Sequence, residues 1–459
     1  MSRKFSIFFV ALTTVVLLGA CGCEGTQNGT IEPEPVKKDT TVVEPEDMIW
    51  YSQPWINVPV ENKDSVPAKF AIKARITSDM YTSANSKLVA EVVDTVEVAG
   101  RTKKNIAITT PEKLKPGFYR AMCFVNGKTA RNVAFGVNPF DIVSEPDKQP
   151  DYDEFWQTAK DQLAAINMDA KLTEIKEKSS ASRKVYLVEF YSIPDGLTGD
   201  PVKIRGYYCE PQDGQKHPVI FHFYGYDTAG SKAKCECPAG GSSDYAEFYV
   251  SHRGQYLNNR PASTQNPGVT EDCINIYNSD WFAFNFGDKN SYYYRGAFMD
   301  CVQAVRFMAT RETSDMTKLF AEGSSQGGAL TYACAALSDY PFTAIACNVA
   351  FLGDYADAME IGGLAAEISK RCQKEKNMSD EDMLAFLSYF DTKNLATRIS
   401  CGVMASSGLK DDVCPARTNV VPFNNLKTPA ENKMYIFGPE MGHDYPKGWS
   451  PATFFKKFM

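Results

Sequence analysis

The stretch that most restricts how this chain can fold is 318–337, Lys-Leu-Phe-Ala-Glu-Gly-Ser-Ser-Gln-Gly-Gly-Ala-Leu-Thr-Tyr-Ala-Cys-Ala-Ala-Leu. It holds a G-x-S-x-G pentapeptide, Gly323-Ser324-Ser325-Gln326-Gly327. The apolar run Leu319, Phe320, Ala321 suits a buried strand, and the Ala- and Leu-rich run that follows has good helix propensity. A serine at such a strand-to-helix turn has a strained backbone, and the chain reverses within a few atoms. Residues without a Cβ must therefore flank it on both sides. Ser324 would need glycine at 322, where Glu322 stands, so the frame selects Ser325. Taken alone, the pentapeptide also reads as a glycine-rich turn. A base, an acid and an oxyanion hole elsewhere in the chain would distinguish the two.

The amino terminus predicts export. Arg3 and Lys4 precede an apolar stretch over 5–18, and Leu18-Gly19-Ala20-Cys21 follows, the layout of a secretory signal. The run is shorter than the ~20 residues a membrane-spanning helix needs. Cys21 after Leu-Gly-Ala resembles a bacterial lipobox, in which that cysteine is lipidated. Residues 1–21 are thus expected to be a lipoprotein signal and 22–47, rich in Glu-Pro pairs, a flexible tether. This places the chain in the bacterial cell envelope, on the periplasmic face or the cell surface. No other apolar stretch is long enough to span a membrane.

With 459 residues, 44% of them hydrophobic, the chain can bury substantial cores and is expected to form two domains. A net charge of −7 and a pI near 5.4 argue against nucleic acid as a partner and leave neutral ligands such as sugars open. Of 13 cysteines, Cys301, Cys334 and Cys347 fall in apolar patterns and read as core residues. Cys235-x-Cys237 lacks a second pair or nearby histidines, so no metal site is expected.

Period-two alternation dominates 48–140. Phe70, Ile72, Ala74 and Ile76 alternate with Lys69, Lys73 and Arg75, and Asn126-Gly127 between two strand-like runs is a hairpin signal. Short strands without helices predict a small all-β, immunoglobulin-like sandwich, read as a spacer or packing partner in preference to a sugar-binding module. Asn138-Pro139 and the polar residues 144–150 mark a boundary. Beyond it, 150–459 alternates strands and helices: a capped amphipathic helix over 151–166, antiparallel strands at 185–191 and 203–209, and buried parallel strands at 219–223 and 281–286. A helix follows at 296–310, with strands at 342–351, 401–406 and 434–437 and a charged helical insertion at 367–395. The pattern predicts an α/β, doubly wound sheet.

A serine hydroxyl needs a base to take its proton. In α/β-hydrolases the catalytic residues run serine, acid, histidine along the chain. Of the four histidines, His217, His222, His252 and His443, only His443 follows Ser325. It lies in a loop after a strand, at the sheet edge where ligands bind in such folds. The acid belongs between the two. Asp411 and Asp412 both follow the strand at 401–406; position favours Asp411 modestly, and Asp354 and Asp444 are weaker rivals. The oxyanion hole needs the N–H of Gln326 and a second amide, for which the glycine-bearing loop 224–230 is a candidate. That loop fits an ordinary strand-to-helix turn equally well.

Several motifs in order make residues 150–459 resemble the acetyl xylan esterase and cephalosporin C deacetylase family, carbohydrate esterase family seven. Asp151-Tyr152-Asp153-Glu154-Phe155-Trp156 is similar to its opening helix, and Tyr224-Gly225-Tyr226-Asp227 to its G-Y-N loop. Arg253-Gly254-Gln255 matches R-G-Q, and Tyr292-Tyr293-Tyr294-Arg295 precedes a helix as in the family. Gly323-Ser324-Ser325-Gln326-Gly327-Gly328 matches G-G-S-Q-G-G with one change. Leu387-Ser388-Tyr389-Phe390-Asp391 is again similar, and Gly408-Leu409-Lys410-Asp411 aligns with G-L-M-D. The chain departs at Asp227 (Asn in the family), at Asp444 (Glu after the histidine) and at Tyr256-Leu257-Asn258 after R-G-Q; the last touches loops that border the substrate cleft. The resemblance implies Asp411 as the acid, Tyr226 as the second oxyanion amide, and structural support from Arg253 and Gln255, beside Gly323 and Gly327 of the elbow. It implies removal of acetyl groups from an acetylated oligosaccharide or polysaccharide without metal or organic cofactor, a small acyl pocket and, often, closed homo-oligomers. The rival expectations are another acyl esterase or a thioesterase, then a serine peptidase of the prolyl-oligopeptidase type, for which the extra domain is too short. A non-catalytic glycan-binding lipoprotein would be expected to lack one of Ser325, Asp411 and His443.

Overall fold

The computed structural model describes residues 43–79, 87–110, 114–196, 198–226, 235–238, 244–255, 257 and 280–459. The expected signal with Cys21, and nearly all of the expected tether, lie outside them. Seven strands come first: β1 (Ile49–Trp50), β2 (Trp55–Asn62), β3 (Ala68–Ser78), β4 (Leu88–Val98), β5 (Thr102–Thr109), β6 (Gly117–Val125) and β7 (Lys128–Val137). One sheet has the order β1-β7-β6-β3-β4, and β2 pairs with β5. Alternation sets the faces: Ile72, Ala74 and Ile76 are buried, while Lys69 and Arg75 are exposed. Asn126 and Gly127 turn β6 into β7 with φ of 48° and 76°, the left-handed pair that a two-residue hairpin favours.

Helix α1 (Tyr152–Ala165) opens the second part. Asp151 stands at its cap position without a capping bond, contrary to expectation. Its carboxylate is drawn instead to Lys289 Nζ at 2.5 Å and to the Tyr389 hydroxyl, where it gains a full opposite charge that a cap amide does not carry. The main sheet comprises β8 (Lys171–Glu174), β9 (Arg183–Pro194), β10 (Pro201–Pro211), β11 (His217–Phe223), β12 (Ala246–Ser251), β13 (Ser314–Ser324), β14 (Ala344–Asn348), β15 (Gly402–Gly408) and β16 (Lys433–Gly438). Its order is β16-β15-β14-β13-β11-β12-β10-β9-β8. The run from β16 to β12 is parallel; β10, β9 and β8 continue antiparallel. The chain leaves β11 for β12 on one side and β13 for β14 on the other, and this reversal opens a crevice at the carboxyl ends of β11 and β13.

One expected strand is absent. Residues 281–286 form consecutive turns, with the amides of Ala283 and Phe284 bonded to the Asp280 carbonyl and Phe286 to Ala283. Their aromatic rings pack on helices, Trp281 stacking on Tyr293 at 5.6 Å and Phe286 meeting Phe386 at 4.8 Å. The strand is Ala246–Ser251 instead, with Ala246, Phe248 and Val250 buried.

The remaining helices are α2 (Tyr293–Met308), α3 (Gln326–Leu337), α4 (Tyr355–Ile361), α5 (Leu364–Lys376), α6 (Asp380–Ser388), α7 (Thr392–Ala396), α8 (Ala416–Asn424) and α9 (Pro451–Phe455). The expected charged insertion is α5 to α7. Left-handed Asn377 ends α5, and the Ser379 side chain, accepting from the Asp382 amide, starts α6. One large core joins α1, α2 and α3 to one face of the sheet. On the other face α9 seats Phe454 and Phe455 against Ile220, Phe320, Ala344 and Met404. Among the described residues no helix is long and apolar enough to cross a membrane.

The amino-terminal strands do not stand apart from this sheet. Leu409, Ala416, Val420, Val421 and Phe437 are buried in the same apolar cluster as the cores of β2, β3, β5, β6 and β7. Phe437 lies 6.1 Å from Phe118 and 5.9 Å from Phe140, ring to ring. Side chains strap the connecting segment down. Asn424 Nδ2 donates to the carbonyls of Pro139 and Ile142, Ser144 donates to Asp354 at 2.7 Å, and Asn394 donates to Asp147 at 2.8 Å. Val421→Asp would put an unpaired carboxylate into the shared core. We expect a loss of about 3 kcal/mol or more, read from the urea midpoint at constant slope. Unchanged stability would contradict the shared core.

Candidate active site

Strand β13 delivers its last residues to the crevice, and the chain reverses at Ser325. This residue has φ 59° and ψ −123°, a strained conformation for a side chain with a Cβ. Its backbone is held at both ends: its N–H donates to the Asn348 carbonyl at 2.9 Å, and its carbonyl accepts from the Phe351 amide at 2.9 Å. A Cβ on Gly323 would overlap the backbone of Gly327, and one on Gly327 would overlap the Phe223 carbonyl. The spacing read from sequence therefore has a steric cause, the crossing of α3 over β11 and β13. Gln326 is the first residue of α3, so its N–H has no acceptor within the helix and lies at the positive helix end.

The two candidate serines part company. Ser324 Oγ accepts from Asn348 Nδ2 at 2.8 Å. Both serines border a cavity of about 680 Å³ together with His443, Tyr226 and Gly225, but Ser325 is the one held in the strained turn. His443 follows β16 and Asp411 follows β15. The two loops are zipped together, Leu409 N–H to the Gly438 carbonyl and Lys410 N–H to the Met441 carbonyl, each 2.9 Å. This brings Asp411 Oδ2 within 2.8 Å of His443 Nδ1. Asp411 is fully buried, and its other oxygen accepts from the amides of Val413 at 2.8 Å and Cys414 at 2.9 Å. Its rivals lie elsewhere. Asp412 is exposed, Asp444 is exposed with its carbonyl on Asn348, and Asp354 is buried against Ser144 and Lys393. Such a serine, imidazole and buried carboxylate are the parts of a nucleophile, a base and a group that orients the base.

Tyr226 closes the β11 side of the cavity, its hydroxyl donating to Asp280 at 3.3 Å and its ring edge-on to Trp281 at 5.2 Å. Asp227, Tyr256 and Asn258 lie outside the described residues. Arg253 is buried, with Nε and a terminal nitrogen on the two oxygens of Asp300 at 2.8 and 2.7 Å and another bond to the Ile193 carbonyl. Gln255 closes the turn around it: its N–H donates to the His252 carbonyl, and its carbonyl accepts from Ser251 Oγ. Among the described residues the cysteines are free thiols, and no His, Cys, Asp or Glu cluster is suited to a metal ion.

The acetyl xylan esterase family model matches residues 142–457. The chain belongs to the acetyl xylan esterase family. As a member it is a carboxylic ester hydrolase. It is similar to the acetyl esterase Axe7A of Xylanibacter ruminicola, 25% identical over 321 residues that cover 69% of each chain. The acetyl xylan esterase from Paenibacillus sp. R4 has 25% identity and a TM-score of 0.54, covering 70% of this chain and 98% of that one. Acetyl xylan esterase 1 from Thermoanaerobacterium sp. JW/SL YS485 shares the fold, with 23% identity, a TM-score of 0.54 and coverage of 70% and 96%.

Three neighbours of this esterase site were not singled out from sequence. His252 sits beside Gln326 Nε2 at 2.9 Å, and the Tyr294 hydroxyl donates to Gln326 Oε1 at 2.7 Å. Together they pin the side chain of Gln326, the residue directly after Ser325. Cys414 lies against the Ser325 side chain, and burial pushes its thiol well up, so it stays protonated. The hints in sequence were the position of His252 directly before R-G-Q and the place of Tyr294 in the Tyr292–Arg295 motif. Burial holds the His252 imidazole down at about 4, so its Nε2 accepts from Gln326 as a neutral ring. A depressed folded-state value means that stability from this group is complete above about pH 6.5 and is lost as pH falls through 4. His252→Gln should therefore destabilise at pH 7.5, and that penalty should shrink by about 2–3 kcal/mol at pH 4.5. A penalty independent of pH would contradict a neutral buried His252.

Proposed function

We propose that this chain is a serine esterase that removes O-acetyl groups from acetylated xylan or xylo-oligosaccharides through an acetyl-enzyme. The observation that carries the reading is the 2.8 Å contact between buried Asp411 and His443, on the cavity that also holds the strained Ser325. The names of the relatives point to the acetyl group and to xylan. In this reading His443 Nε2 takes the proton of Ser325 Oγ as it attacks the acetyl carbonyl, while Nδ1–H donates to Asp411. The amides of Gln326 and Tyr226 hold the developing oxyanion. His443 then returns the proton to the sugar oxygen, which leaves as an alcohol. Water, deprotonated by the same imidazole, attacks the acetyl-Ser325 carbonyl and releases acetate. Arg253, Gln255, Gly323 and Gly327 serve as structural support, through the Asp300 pair, the turn at 251–255 and the steric fit of the elbow.

The amino-terminal strands are taken as an immunoglobulin-like sandwich whose role is to pack on the loop that bears Asp411, supported by the apolar cluster they share. The Arg3-Lys4, apolar and Leu-Gly-Ala-Cys21 sequence supports export and a lipid anchor at Cys21 in the cell envelope. For the enzyme itself the test is acetate release from acetylated xylo-oligosaccharides. Ser325→Ala should lower kcat by about 10⁴-fold or more, and Asp411→Asn by about 10³–10⁴-fold, with the fold retained. Wild-type turnover by Ser325→Ala would overturn the assignment.

A further inference from the structure

The cavity around Ser325 has a second wall for which the steps above have no use. His222 on β11 and Glu322 on β13 are paired in register, and Tyr249 on β12 is paired with His222 from the other side. Residues in register on neighbouring strands share a face of the sheet. Tyr249, His222 and Glu322 therefore form one row across three strands, ending three residues before Ser325 in the chain, and all three border its cavity. The row is built with fixed geometry. His222 Nδ1 lies 2.9 Å from Glu322 Oε1, and the imidazole stacks on the Tyr249 ring at 4.2 Å and 17°.

The charges in the row are unevenly matched. Glu247, behind it, is paired with Arg183. Glu322 has no Lys or Arg among its described ion-pair partners; His222 is its neighbour, and its side chain remains 32% exposed. Trp449 and the exposed Tyr445 border the same cavity. A carboxylate with a spare oxygen, next to aromatic surface, suits a ligand that has many hydroxyl donors and an apolar ring face. An anionic alcohol would meet the Glu322 charge. A purely apolar one would strip its water and give it no donor in return, a desolvation cost without compensation.

We propose that Glu322, oriented by His222, accepts hydrogen bonds from the hydroxyls of the sugar that leaves during deacetylation, and that it thereby selects neutral, polyhydroxylated alcohols. This rests on the esterase reading and assigns the leaving-group side of that site. The fixed imidazole holds one carboxylate oxygen, so the other is presented toward the cavity at little further entropic cost.

The test compares two substrates on the full chain: acetylated xylo-oligosaccharide and p-nitrophenyl acetate, whose leaving group has no sugar hydroxyl. For Glu322→Gln and His222→Gln, the ratio of kcat/KM for the oligosaccharide to that for the small ester should fall roughly tenfold or more, chiefly through KM. In a Ser325→Ala background, xylotriose should bind roughly tenfold more weakly when Glu322→Gln is added. Glu322→Gln preserves side-chain shape, so it decides alone if His222→Gln lowers the melting temperature. An unchanged ratio together with unchanged xylotriose binding would overturn the proposal while leaving the esterase reading standing. Wild-type protein that cleaves p-nitrophenyl acetate but frees no acetate from any acetylated sugar would overturn both.

Discussion

The conformation of Ser325 is the constraint on which the rest of the site depends. A non-glycine residue at φ 59° and ψ −123° is held at a cost of about 1–3 kcal/mol, so its surroundings must over-determine it. They do so by contact on every side. Gly323 and Gly327 let β13, α3 and β11 approach until no Cβ fits, and the Asn348 carbonyl and Phe351 amide fix the serine's own peptide groups. The buried residues of β13 and α3, among them Leu319, Phe320, Leu330 and Tyr332, supply the apolar burial that offsets the strain. The same geometry leaves the Gln326 amide at a helix start and turns the side chains of Ser324 and Ser325 to different partners.

Asp411 and His443 depend on a different device, two loops sewn together by backbone bonds at the ends of β15 and β16. Asp411 is buried because the chain on either side of it, Leu409 before and Ala416 to Val421 after, packs into the core of the amino-terminal strands. Those strands are thus part of what holds Asp411 at 2.8 Å from His443, in addition to any role in spacing the enzyme from a surface. Beside Gln326, His252, Tyr294 and the Arg253–Asp300 pair form a second buried polar support. Each depends on its partners being present, since a buried charge or donor left alone is costly.

Much of the site was legible in sequence because its signals are local or topological. The glycines at 323 and 327 distinguish Ser325 from Ser324 by spacing, and chain order leaves His443 as the one histidine after it. The choice of Asp411 over Asp412 came from family resemblance; burial of one and exposure of the other give it a physical basis. The errors have a common physical source. Residues 281–286 are apolar enough for a buried strand, yet their aromatic rings are buried against helices, which apolarity alone does not distinguish. Asp151 has the residue type and position of a cap, but Lys289, 138 positions away, takes its carboxylate. Gln326 and His252 are likewise 74 positions apart, and a pair that meets only through the fold leaves no periodic trace.

One serine of the pair, Ser325, is proposed to carry the acyl group. The most direct measurement is mass analysis of peptides from enzyme mixed with acetylated xylo-oligosaccharide and quenched in acid before the first turnover ends. The account predicts a single added acetyl group on the peptide containing the elbow, mapped by fragmentation to Ser325 and absent from Ser325→Ala. An acetyl group on Ser324, or rapid acetate release without any acetylated serine, would contradict it.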